Sequence, residues 1–185
     1  MPGMKRNTIL AAVGVITVAA LGSYFLITGQ ADKETESNAI DAQNIKQLVQ
    51  DYSVGKLSAK SASITSNQLI VDGDTADSMT YDLPKDEFFV SIAPYVDQTH
   101  PCEIHSLTGC RGEMTEQEFQ VNVTDANGNT VLDQKMKSQA NGFIDLWLPR
   151  DQTYRVQVIH NGKTVESEIS TFDGDQTCIT TLQLS

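Results

Sequence analysis

Basic residues are scarce in this 185-residue chain: 13 Lys and Arg stand against 24 Asp and Glu, for a net charge of −11. Phosphate contacts need clustered Lys and Arg, so this balance excludes a nucleic-acid partner. Hydrophobic residues reach only 39%, which still suffices for one compact domain, with or without a small appendage. Several motifs are missing. There is no Gly-x-Ser-x-Gly elbow, no phosphate-cradling Gly-rich loop followed by Lys, and no His-Glu-x-x-His pair. Hydrolase and nucleotide chemistry therefore has no support. No Cys-x-x-Cys supports an oxidoreductase acting on other proteins. Internal repeats and low-complexity tracts are absent too. Cysteine itself is sparse, and three thiols cannot all pair within one chain.

What is present begins with a 19-residue apolar run, Ile9 to Ile27, preceded by Lys5 and Arg6. As a helix it would reach roughly 28 Å, close to the hydrocarbon thickness of a bilayer. It reads as a transmembrane anchor. Gly29-Gln30-Ala31 offers a small-x-small site, so a signal helix cleaved after Ala31 is the alternative. No Cys lies near the end of the run to carry a lipid. The basic flank keeps the N-terminus in the cytoplasm, and the rest of the chain faces outward in either case. Beyond residue 30 stand 11 basic and 24 acidic residues, a net charge of −13. Such a charge suits a soluble extracytoplasmic domain, and in that compartment a disulfide persists.

Residues 31–38 are polar and read as a linker. Ile45, Leu48, Val49 and Tyr52 then fall on one helical stripe, with Gly55 as the stop. Such a stripe either packs on its own domain or forms the face of a homodimer, and the first is the commoner use. Ala62 to Val71 reads as a strand ending at Asp72-Gly73-Asp74, and Met79 to Leu83 pairs with it before Pro84. Residues 39–86 thus form a small α+β unit.

From residue 87 to 185 the chain reads as β-rich. Phe88 to Ala93, Phe119 to Thr124, Thr130 to Met136, Gly142 to Leu148, Tyr154 to Ile159, Lys163 to Thr171 and Cys178 to Leu184 are the expected strands. Asn161-Gly162 is the strongest hairpin signal. The fold class is α+β: a small helix-plus-strands unit, then an antiparallel β-sandwich-like domain. Asp125-Ala126-Asn127-Gly128-Asn129 has calcium-like residues, but its Gly stands at position four where an EF-hand loop needs it at six. A hairpin turn is the better reading. Asp173-Gly174-Asp175 is likewise a turn, and His160 is a solvated hairpin-end side chain.

One segment carries chemistry: Thr99-His100-Pro101-Cys102-Glu103-Ile104-His105-Ser106-Leu107-Thr108-Gly109-Cys110. It lies between strands, contains Pro and Gly, and reads as an exposed loop. Thiolates favour Cu(I), zinc or iron–sulfur clusters. Cu(I) accepts two or three soft donors, so Cys102, Cys110 and one of Cys178, His105 or His100 would hold it. Zinc fits less well, because its cysteines are normally spaced by two to four residues. An iron–sulfur cluster usually needs more cysteines than the chain has. As a dithiol, Cys102 and Cys110 could instead reduce Cu(II) and close a disulfide. That makes a stoichiometric reductant or redox-coupled carrier rather than a turnover enzyme. The competing reading is a structural staple, Cys102–Cys110, in an envelope interaction module with no metal role. Cys178 would then be left over.

The run from Thr99 to Cys110 resembles the signature of the CueP family of envelope copper-binding proteins. So do Gln139-Ala140-Asn141-Gly142-Phe143-Ile144-Asp145-Leu146-Trp147-Leu148-Pro149, Ser170-Thr171-Phe172 and Thr177-Cys178-Ile179-Thr180-Thr181-Leu182. The resemblance covers nearly all of the exported chain and is strongest from Phe88 to Leu184. It implies periplasmic copper binding, protection against copper stress and thiol-dependent reduction of Cu(II) to Cu(I). It also implies hand-over to an envelope copper enzyme such as a superoxide dismutase, and a thiol-reducing partner would have to recycle the protein. The family's three cysteines map onto Cys102, Cys110 and Cys178. Among auxiliary ligands His105 ranks above His100, because it lies between the two loop cysteines.

Overall fold

A computed structural model of the chain describes residues 42–185. The apolar run, the linker and the anchor-or-signal question lie outside the described residues. Among those residues, no helix is long and apolar enough to cross a membrane.

Helix α1 (Ala42–Ser53) buries Ile45, Val49 and Tyr52 and half-buries Leu48, so the apolar stripe packs on the chain's own core. It ends where Gly55 takes a φ of 73°, a conformation that costs glycine little. Ala62 to Val71 is a hairpin rather than one strand. β1 (Ala62–Ile64) and β2 (Gln68–Val71) pair across a turn in which Thr65 Oγ1 accepts from the Asn67 and Gln68 amides. A side chain that satisfies turn amides this way competes with strand continuation. β3 (Met79–Asp82) pairs antiparallel with β2, as expected. β5 (His105–Ser106) completes this first sheet on the far side of β1, in the order β3-β2-β1-β5.

The second sheet has the order β11-β4-β8, built from β4 (Glu87–Ile92), β8 (Ile144–Pro149) and β11 (Cys178–Ile179). The third has the order β10-β9-β6-β7, from β6 (Glu118–Asp125), β7 (Thr130–Lys137), β9 (Thr153–His160) and β10 (Lys163–Ser170). Their facing sides make the sandwich core: Phe88, Val90 and Ile92 meet Phe119, Val121 and Val123, with Ile144, Leu146, Leu148, Tyr154, Val156 and Val158. Side chains alternate across a strand, so the same β4 and β8 send Phe89 and Trp147 the other way, into the helix-side core. The middle sheet is thus covered on both faces. This explains why Phe88 to Ile92 reads as a continuous buried run.

The antiparallel expectation needs one correction. β11 runs parallel to β4, Cys178 opposite Ser91 and Ile179 opposite Ile92. Past Ile179 only an isolated bridge, Tyr95 to Gln183, continues the pairing, so Cys178 to Leu184 is not a full strand. The expected turns form. Asn161 and Gly162 have φ of 49° and 79°, the double left-handed geometry of a tight hairpin. The Asp125 carboxylate accepts from the Asn127 and Asn129 amides and the Asn129 side chain, so the turn itself consumes the calcium-like oxygens. His160 is half-buried rather than solvated: its Nδ1 meets Glu118 O at 2.8 Å and its ring lies 4.9 Å from that of Phe119.

Candidate metal centre

The segment between β4 and β6 is stitched down at both ends. Thr180 Oγ1 donates to His100 O (2.7 Å), the amides of Thr177 and Cys178 donate to Glu103 O (3.0 and 3.2 Å), and the His105 amide donates to Thr177 Oγ1 (3.0 Å). Residues 100–105 therefore lie alongside 177–180, although about 75 positions separate them in the chain. Farther along, a tight turn brings the Cys110 amide to Ser106 O (2.9 Å), and the Ser106 amide donates back to Cys110 Sγ (3.3 Å). Gly112 and Gly142 then cross so closely that a Cβ on Gly142, whose φ is 83°, would stand 2.5 Å from Gly112 O. Only glycine fits there. That crossing packs the Cys110 turn onto the 139–143 loop and its Phe143.

The outcome brings all three sulfurs together. Cys102 and Cys178 form a disulfide with Cα atoms 5.6 Å apart, and Cys110 Sγ lies 3.4 Å from Cys102 Sγ. The expected Cys102–Cys110 bridge is thereby corrected: the staple joins Cys102 to Cys178, and Cys110 is the free thiol. Spacing along the chain favoured the local pair, whereas the hydrogen bonds to residues 177–180 decide the distant one.

His105 corrects the exposed-loop reading. As part of β5 it pairs opposite Ile64, and its side chain is 0% exposed. Its ring lies 4.6 Å from Phe143 and 6.1 Å from Phe89. Neither ring nitrogen has a hydrogen-bond partner among the described residues. Burial strips the imidazolium of water and lowers the pKa to about 4, against an upward pull from the Asp145 carboxylate and with a smaller downward push from His100. The ring is therefore neutral at physiological pH, with a lone pair free to bind. His100 is half-exposed and also neighbours Phe143, ring centroids 6.4 Å apart.

Two donor groups result among the described residues: His100, Cys102 and Cys110, and His105, Cys110 and Cys178. Within each, the donor atoms lie within 4.8 Å of one another. A three-coordinate metal with bonds of roughly 2.0–2.3 Å spaces its donors about 4 Å apart. Small side-chain shifts would close either group on a soft ion, once the bridge is reduced. A buried imidazole without partners is costly unless something binds it, and a metal would supply that partner. The donor set therefore fits a thiophilic cation.

Asp145 escaped the reading of the sequence. Its carboxylate accepts from Ser53 Oγ (2.8 Å), Ser91 Oγ (2.6 Å) and Gln139 Nε2 (2.9 Å), tying α1, β4 and the 139–143 loop together behind His105. Strand alternation could have signalled it, since Phe143, Asp145 and Trp147 share the inward face opposite Ile144, Leu146 and Leu148.

Fold and site together define a class: a β-rich domain whose partly buried cysteine–histidine cluster could hold a soft metal. The family whose model matches residues 43–183 is described as periplasmic copper-binding protein CueP, and the chain belongs to this family. A crystal structure described as S.CueP is 43% identical, covering 76% of this chain and 88% of its own, with a TM-score of 0.71. No curated protein matches the chain.

Proposed function

We propose that this chain binds copper in the periplasm and holds it as Cu(I) through the thiolates of Cys102, Cys110 and Cys178, with His105 and His100 as auxiliary ligands. Membership of the family supports copper and the compartment. The observation that carries the ligand set is His105, buried beside Cys110 and Cys178 and unpartnered at both nitrogens among the described residues. A disulfide staple alone, in an interaction module without metal, accounts for the Cys102–Cys178 bond but leaves that imidazole without a purpose.

The same sulfurs can supply electrons. Two thiols and two Cu(II) ions give one disulfide, two Cu(I) ions and two protons. The Cys102–Cys178 bridge supports assigning this pair to Cys102 and Cys178 rather than to Cys102 and Cys110. A dithiol partner must then reopen the bridge, taking the disulfide onto itself, before a second round. The chain is in this reading a reductant and carrier, exported and either anchored by Ile9 to Ile27 or cleaved after Ala31. It passes Cu(I) to an envelope copper enzyme such as a superoxide dismutase.

The test uses the reduced, desalted chain with excess Cu(II) and a chromogenic Cu(I) chelator. About two Cu(I) per chain are expected from one dithiol. The triple substitution of Cys102, Cys110 and Cys178 to Ser should yield none. No Cu(I) from the wild type, or equal yield from the triple variant, would end this reading.

A further inference from the structure

The two donor groups are not equivalent, and they share Cys110. His100, Cys102 and Cys110 are all half-exposed. His100 also lines a cleft of about 220 Å³ with Gln98, Thr99, Arg111, Gly112 and Glu113. By contrast, His105 and Cys178 are both 0% exposed, and the His105 ring is closed off by Phe143 and Phe89. Exposed donors exchange ligands with solvent, while buried ones hold an ion where water cannot compete.

We infer that copper occupies two overlapping sites in succession: an outer capture site of His100, Cys102 and Cys110, and an inner retention site of His105, Cys110 and Cys178. Cys110 is the ligand the ion keeps while it moves. This partition rests on the copper-binding reading above and assigns the two histidines opposite duties. Each site takes one sulfur of the Cys102–Cys178 bridge, so both assemble only in the reduced chain. The move inward exchanges Cys102 for Cys178 and His100 for His105. It therefore changes neither the oxidation state of copper nor the number of sulfur donors. It ends by giving His105 the partner it lacks. In this scheme one ion passes through the pair of sites, with Cys110 common to both.

Stopped-flow transfer of Cu(I) between a chromogenic chelator and the reduced full chain separates the two roles. His100→Ala should slow capture about tenfold and leave release within about twofold of wild type. His105→Gln and His105→Phe should leave capture unchanged and speed release at least 10–100-fold, the loss that even an outer-shell partner causes. Native mass spectrometry should find one copper per chain. Two coppers per chain overturn the shared-ligand scheme. Equal effects of the His100 and His105 variants on capture and release overturn the partition. Should the His105 variants fail to fold, His100→Ala decides alone, since faster release from it contradicts the scheme. A wild type that takes up no Cu(I) overturns the function and the partition together. A wild type that binds while its histidine variants behave alike overturns only the partition.

Discussion

His105 concentrates the physics of the site. An imidazole buried from solvent, with no hydrogen-bond partner among the described residues, must stay neutral to remain buried, and the neighbouring Asp145 carboxylate only partly offsets that demand. In the metal-free protein its folded pKa, about 4, lies below the value near 6.5 of the unfolded chain. The resulting stability is complete above about pH 6.5 and is lost as pH falls through about 4. The loss is on the order of 3 kcal/mol. Urea melts of the metal-free protein between pH 7 and 4 should show it, and His105→Phe should flatten the pH dependence across that window. An unchanged slope in the variant would assign the acid sensitivity to other groups. Among those, Asp125, Asp173 and Glu113 have depressed pKa values from accepted hydrogen bonds, so their contributions fade at the acid end. Residue types alone could place His105 among the donors, but not inside the core. Its burial depends on β5 pairing with β1, a contact between residues about 40 positions apart.

At the level of elements, the site depends on loops held by particular crossings. Gly142 sits where its backbone meets that of Gly112, and Gly142→Ala would force a carbon against a carbonyl oxygen while also demanding an unfavourable φ. A destabilisation of at least about 1–3 kcal/mol is expected. It should come with weaker copper binding, because the Cys110 turn and Phe143 shift together. Chemical denaturation and chelator competition on the same variant would check both. Gly128→Ala is the control, since open space surrounds Gly128 and only its φ of 82° resists the change. The elements themselves were largely legible. Asn161-Gly162, the helical stripe from Ile45 to Tyr52 and the alternation of Phe119 to Val123 each specify their structure through local chemistry. What local pattern could not supply was pairing between distant segments. Cys178 to Ile179 lies parallel to β4 because the Ser91 and Ala93 amides donate to Thr177 O and Ile179 O, and nothing near Cys178 in the chain announces it.

For the whole molecule, the Cys102–Cys178 bridge closes a loop of 76 residues, and the loss of loop entropy is worth about 4 kcal/mol in the chain-entropy account. Opening the bridge without metal should therefore lower Tm by roughly 8–16 °C for a protein of this size. Cu(I) should restore much of that loss, because an ion bound only by the folded state shifts the equilibrium toward it. Calorimetry of the oxidised, reduced and reduced-plus-Cu(I) forms would check the order, and no recovery with Cu(I) would contradict a shared metal site. In the proposed reading, structural cross-link and metal centre are alternative states of the same sulfurs. The central claim is that thiolates hold the copper. X-ray absorption at the copper edge, on the reduced chain loaded with one equivalent of Cu(I), tests it most directly. The account predicts sulfur scatterers dominating the first shell, near the roughly 2.3 Å of a metal–thiolate bond, and their loss in the triple Cys→Ser variant. A first shell of nitrogen and oxygen alone in the wild type would contradict it.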